Sequence, residues 1–71
     1  MLTIRELENR FTYHKPTGKN QVKRYEEIRR SALNFAEFLF EFTPESREQS
    51  LAIGRLEEVV FWANAAIARN E

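Results

Sequence analysis

The sequence predicts an all-α fold, a short N-terminal helix plus a long antiparallel helical hairpin, forming one domain over residues 1–71 that assembles into a compact oligomer. Three observations carry this. Apolar residues recur at alternating steps of three and four along two long segments, and no strand-like alternation interrupts them. The punctuation "FTPES" joins those segments through a connection too short for anything but an antiparallel return. Finally, a chain of 71 residues buries only about 60% of the surface its unfolded form exposes, so a lone monomer is marginal. It has no cysteine for a disulfide and one histidine, too few for a His-rich metal site. Self-association is left as the staple.

The first element is short. Thr3 followed by Glu6 fits the capping box T-x-x-E, in which hydroxyl and carboxylate each satisfy a free amide at a helix start. A helix over Ile4 to Arg10 follows, with Leu2, Ile4, Leu7 and Phe11 as its apolar side. Pro16, Gly18 and Asn20 then break the pattern and place "YHKPTGKN" in a loop.

Helix two is expected from Gln21 to Phe42. Tyr25, Ile28, Ala32, Phe35, Leu39 and Phe42 keep the heptad rhythm of a helix lying along another helix, and Leu33, Ala36 and Phe40 widen the stripe. At the corner, Thr43 suits the cap of the next helix and Pro44 its first position, where a missing amide hydrogen costs nothing. Glu45 and Glu48 fall in the first turns and complement the helix dipole. Helix three then runs to about Arg69, its rhythm carried by Ile53, Leu56, Val60, Ala63 and Ile67. Gly54 interrupts it at about 1 kcal/mol relative to alanine, which suggests a close helix contact at that point.

The stretch "VVFWANAAIA", Val59 to Ala68, has Asn64 as its one polar side chain. Apolar on all sides, such a helix needs cover on all sides, and one partner helix covers one face. Either Phe61 and Trp62 lie under the N-terminal helix, or this end is a subunit interface. In the second case the alanines allow close approach and Asn64 makes a buried polar contact. The interface is the expectation adopted.

Eleven basic and eleven acidic residues cancel over the chain. They are not evenly mixed, since Arg10 to Arg30 holds seven basic residues and two acidic ones. Proteins of long nucleic acid are usually basic overall, because affinity comes from neutralising many phosphates. A neutral chain with one basic segment suits a small anion better. Charges at Arg5, Glu6 and Glu8 do not fit a signal peptide. No window reaches the roughly 18 to 20 apolar residues of a membrane span, so the expectation is a soluble, intracellular protein.

Catalytic patterns are missing. There is no phosphate-cradling glycine motif and no H-E-x-x-H. His14 is the sole imidazole able to activate a hydroxyl, and the neighbouring Glu57 and Glu58 point about 100° apart on a helix, which rules out a paired acid and base within one chain. An enzyme is not expected, nor a cofactor or metal. Binding remains: Tyr13 and His14 offer flat faces for a nucleobase, Lys15 adds a cation beside them, and Arg29 and Arg30 supply guanidinium forks for phosphate. The plain structural alternative makes Tyr25 core, Tyr13 a loop pin and the two arginines solvated partners of helix carboxylates.

The loop "F-x-Y-H-K-P", the helix-two start "Q-x-x-x-Y-x-x-I-R", the corner "P-x-S-R-E" and the closing "W-A-N-A-A-I-A-R-N" together resemble the anti-CBASS protein 2 family, from Phe11 onward. These are phage proteins that counter CBASS immunity by sequestering its cyclic nucleotide signals. The resemblance implies small helical protomers in a compact hexamer, holding cyclic dinucleotides such as 3′,3′-cyclic GMP-AMP between protomers and cyclic trinucleotides in a second kind of pocket. Nothing is cleaved, and the setting is the host cytoplasm. It further implies that Tyr13 stacks on a base and that Arg29, a lysine in some members, reaches a phosphate. Ser31 and Arg69 fall on the trinucleotide pocket. A helical adaptor or a nucleic-acid-binding module is the alternative.

Overall fold

The computed structural model describes residues 2–16, 18 and 20–71. Three helices follow in chain order, α1 (Ile4–Phe11), α2 (Gln21–Phe42) and α3 (Arg47–Asn70). No strand occurs among the described residues. Thr17 and Lys19 of the expected loop lie outside them, as does Met1.

Helix α1 starts with the hydroxyl half of the expected capping box, Thr3 Oγ1 accepting from the Glu6 amide at 3.1 Å. None of its side chains is buried, and Phe11 is 84% exposed. The helix is tied to the hairpin by a polar contact instead, Asn9 Nδ2 donating to the Arg69 carbonyl at 3.4 Å.

Helices α2 and α3 form the antiparallel hairpin. The seam contains Ile28, Ala32, Ala36 and Leu39 from α2 and Ile53, Leu56, Val60 and Ala63 from α3, all half-buried. Ile67 is the one buried apolar residue among those described, at 8% exposure. Phe35 and Phe42 depart from the expected seam and lie outside it, where Phe38 stacks with both at ring separations of 6.2 and 4.4 Å. The half-buried positions of this part of α2 are the small Ala32 and Ala36. The large rings lie on the outer surface.

The corner differs from expectation in one respect. Thr43 does not cap α3; it closes α2, its amide and its hydroxyl both donating to the Leu39 carbonyl at 3.1 and 2.6 Å. Ser46 caps α3 by accepting from the Gln49 amide at 3.1 Å, so Pro44 and Glu45 precede the helix and Glu48 alone of the two glutamates enters its first turn. The pattern Ser46-x-x-Gln49 is itself a capping-box signature. Gln49, 8% exposed, then sends Nε2 to the Phe40 and Thr43 carbonyls and to Thr43 Oγ1, at 3.1, 3.0 and 3.1 Å. Those carbonyls belong to the end of α2, where no helical amide remains to meet them.

The opposite end of the hairpin is tied by charge. Arg24 grips the Glu71 carboxylate with both terminal nitrogens, one at 2.9 Å, and Gln21 Nε2 donates to the same group at 3.4 Å. The Arg24 guanidinium, by hydrogen bonding, holds the Glu71 carboxyl below its usual range. Gly18 is needed here for close approach, because a Cβ there would sit 2.9 Å from Gln21 Cγ.

The resulting body is flat, 14 Å along its shortest axis and 44 Å along its longest. Its radius of gyration is 15.3 Å, against about 11 Å for a compact domain of this length. It exposes 6233 Å², whereas a folded monomer of its mass exposes about 4,700 Å². Phe61 and Trp62 are 61% and 60% exposed, so they do not lie under α1. Gly54, expected at a close helix contact, has nothing within 4 Å of a Cβ built on it.

Candidate ligand groove

The loop and the three helix ends nearest it enclose a groove of about 400 Å³. From α1 comes Arg10 and from the loop Tyr13 and His14; α2 adds Tyr25 and Arg29, and α3 adds Asn64 and Arg69. No carboxylate lines it.

Each side chain has a local reason for its place. His14 Nε2 lies 2.6 Å from the Asn9 carbonyl; a carbonyl only accepts, so Nε2 carries the proton and donates. This bond folds the loop back on α1. Its neighbour Tyr13 is left 81% exposed, with a free ring face at the groove mouth. Arg29 and Tyr25 stand one turn apart on α2, so they project toward the same side. Asn64 and Arg69 come from the last turns of α3, where Ala65 and Ala68 keep the groove wall low.

The electrostatics follow from what these groups lack. The ion pairs among the described residues are Arg24–Glu71, Arg30–Glu27 and Arg55–Glu58. Arg10, Arg29 and Arg69 take part in none of them. Three uncompensated guanidinium groups on one groove with an exposed aromatic face can accept phosphate by charge and a base by stacking. Asn64 Oδ1 is buried with no hydrogen-bond partner among the described residues. The metal-ligating side chains form no cluster among those residues.

Of the seven residues singled out from sequence, four line this groove: Tyr13, His14, Arg29 and Arg69. Lys15 lies on its flank, in an adjoining depression with Tyr13, His14 and Gln21. Arg30 points elsewhere, into an exposed pair with Glu27 at 3.6 Å. Ser31 lies in a separate groove with Phe35, Leu56 and Val59. Arg10 was counted among the basic residues of the segment but not placed at a site, and only the docking of α1 reveals it. Tyr25, read as core, forms part of the groove wall.

Fold and groove define a small helical-hairpin protein with an open, arginine-lined groove at one end. The family model described as Acb2/Tad1, hairpin domain, matches residues 3–68, and the chain belongs to that family. The match reaches back through α1, beyond Phe11 where the motif resemblance begins. Members of this family act as anti-CBASS sponges, binding proteins and not enzymes. No curated protein and no solved structure gives a significant match to the chain.

Proposed function

We propose that this protein is a phage-encoded sponge that sequesters cyclic dinucleotides such as 3′,3′-cyclic GMP-AMP in the Tyr13–Arg29 groove without cleaving them, so that CBASS effectors are not activated. The observation that carries this is the carboxylate-free groove in which an exposed tyrosine faces three arginines that make no ion pair. A cyclic dinucleotide has two bases and two phosphates, the features such a lining recognises. The localised charge argues against long nucleic acid, which needs a basic track along the surface.

Assembly belongs to the same reading. Arg29 lines the ligand groove and also an apolar groove with Leu33, Ile53 and Phe61. A second protomer seated on that apolar groove would border the ligand site, and a two-fold boundary would bring a second tyrosine and arginine to a two-fold ligand. A hexamer, as the family resemblance implies, meets this condition. Cyclic trinucleotides are the second ligand class, with Ser31 and Arg69 drawn from different protomers. The setting is the host cytoplasm; no helix among the described residues is long and apolar enough to cross a membrane.

The test is isothermal titration with 3′,3′-cyclic GMP-AMP, repeated with a cyclic trinucleotide, followed by denaturation and recovery of the ligand. Nanomolar affinity, about −12 kcal/mol, with intact ligand recovered is the expected result. Absence of binding to both ligands would overturn the reading and leave an oligomeric adaptor.

A further inference from the structure

Helix α1 poses a question that the hairpin does not. It buries no side chain, so it contributes almost nothing to the core. Yet it is fixed in place by two polar contacts, and both lead to the ligand groove. Asn9 Nδ2 donates to the carbonyl of Arg69, a groove residue, at 3.4 Å. His14, another groove residue, donates to the Asn9 carbonyl at 2.6 Å. The residue that follows Asn9 is Arg10, and Arg10 lines the groove.

We infer that Arg10 is a phosphate-binding residue of the groove, brought to the ligand by α1 and acting with Arg29 on a doubly anionic cyclic nucleotide. The inference rests on the proposed ligand class. Two observations on the chain support it beyond mere placement. Arg10 has Glu6 one turn before it, the usual helical partner for an arginine, and no ion pair joins them. Its guanidinium is thereby free for a ligand. In addition, Arg10 comes from α1 and Arg29 from α2, so the two cations reach one groove from different elements. A guanidinium matches a phosphate with two parallel donors.

A plainer role has to be separated from this one, since a cation in the last turn of a helix also complements the helix dipole. Arg10→Lys keeps that charge but loses the planar fork, whereas Arg10→Ala loses both. The experiment is titration of 3′,3′-cyclic GMP-AMP into the full chain and these two variants, with Tyr13→Ala as control and thermal melts and sedimentation on each. A hydrogen bond to a charged group is worth about 1.5 to 3 kcal/mol, so Arg10→Ala is expected to weaken binding about 10- to 150-fold. Arg10→Lys should recover only part of the loss, with melting temperature and oligomer size unchanged in both variants. If Tyr13→Ala loses binding but Arg10→Ala binds like the parent, the inference falls and the sponge stands. If Arg10→Lys restores full affinity, the fork is not used and the inference falls as well. If the parent itself binds no cyclic dinucleotide, both fall together.

Discussion

At the scale of single residues, the groove and the corner use polar chemistry in opposite ways. Gln49 is satisfied three times over, by the Phe40 and Thr43 carbonyls and the Thr43 hydroxyl. Gln49→Leu would remove the hydrogen bonds that a buried amide makes to the end of α2, at about 0.5 to 1.5 kcal/mol each. Chemical denaturation at fixed protomer concentration should show that loss with ligand affinity retained. Tyr13 is the reverse case, a side chain with almost no contact in its own chain and 81% exposed. Base stacking on an aromatic ring is worth about 1 to 3 kcal/mol, so Tyr13→Ala should weaken cyclic dinucleotide binding by one to two orders of magnitude in calorimetry while stability stays unchanged. Tyr13→Phe should bind nearly as the parent.

At the scale of elements, the helices differ in what secures them. The far end of the hairpin depends on the Arg24–Glu71 grip, which is exposed and responds to pH. Because Arg24 holds the folded-state value of Glu71 below its unfolded one, the tie contributes above the normal carboxylate range and is lost as pH falls through the lowered value. Amide exchange at the start of α2, corrected for intrinsic rate, should therefore quicken as pH falls from neutral to below the usual carboxylate range. Glu71→Gln should abolish that difference. In the middle of α3, Gly54 meets no neighbour in its own chain, so Gly54→Ala should raise stability by about 1 kcal/mol through helix propensity alone. Destabilisation with loss of assembly would reveal another protomer's helix packed on it.

At the scale of the whole molecule, the chain is flat and leaves large apolar side chains exposed. Its surface exceeds that of a folded monomer by about 1,500 Å², close to twice the roughly 800 Å² that one partner contributes to a standard interface. Exposed large apolar side chains lie on both sides of the hairpin. Ala32, Leu56 and Val60 line two grooves at once, which is what seam residues seen from opposite faces do. One groove carries Leu33 and Phe61, the other Phe35 and Val59. A dimer covers only one such face, so sedimentation at micromolar concentration should give a species larger than a dimer. Phe61→Glu and Phe35→Glu should each break a different contact and yield smaller particles of unlike size; a folded monomer of the parent chain would refute this.

What the sequence determined by itself was local. The span of α2, the Thr3 cap, the antiparallel return and most of the seam follow from capping chemistry and a period of 3.6 residues, which act within a turn or two of chain. The Ser46-x-x-Gln49 box was equally local, though Thr43 and Pro44 drew the cap three residues early. Tyr13 and Arg29 stand out in the sequence as an aromatic and a guanidinium of a mainly basic segment in a neutral chain. The tertiary structure alone decided the rest. That Arg10 and Arg69, at opposite ends of the sequence, share a groove with Tyr13 while Ser31 and Arg30 face elsewhere depends on how α1 docks and how α2 crosses α3. So does the position of Phe35 and Phe42 outside the seam, because which part of an apolar stripe meets the other helix is a property of two helices together and periodicity along one of them does not encode it.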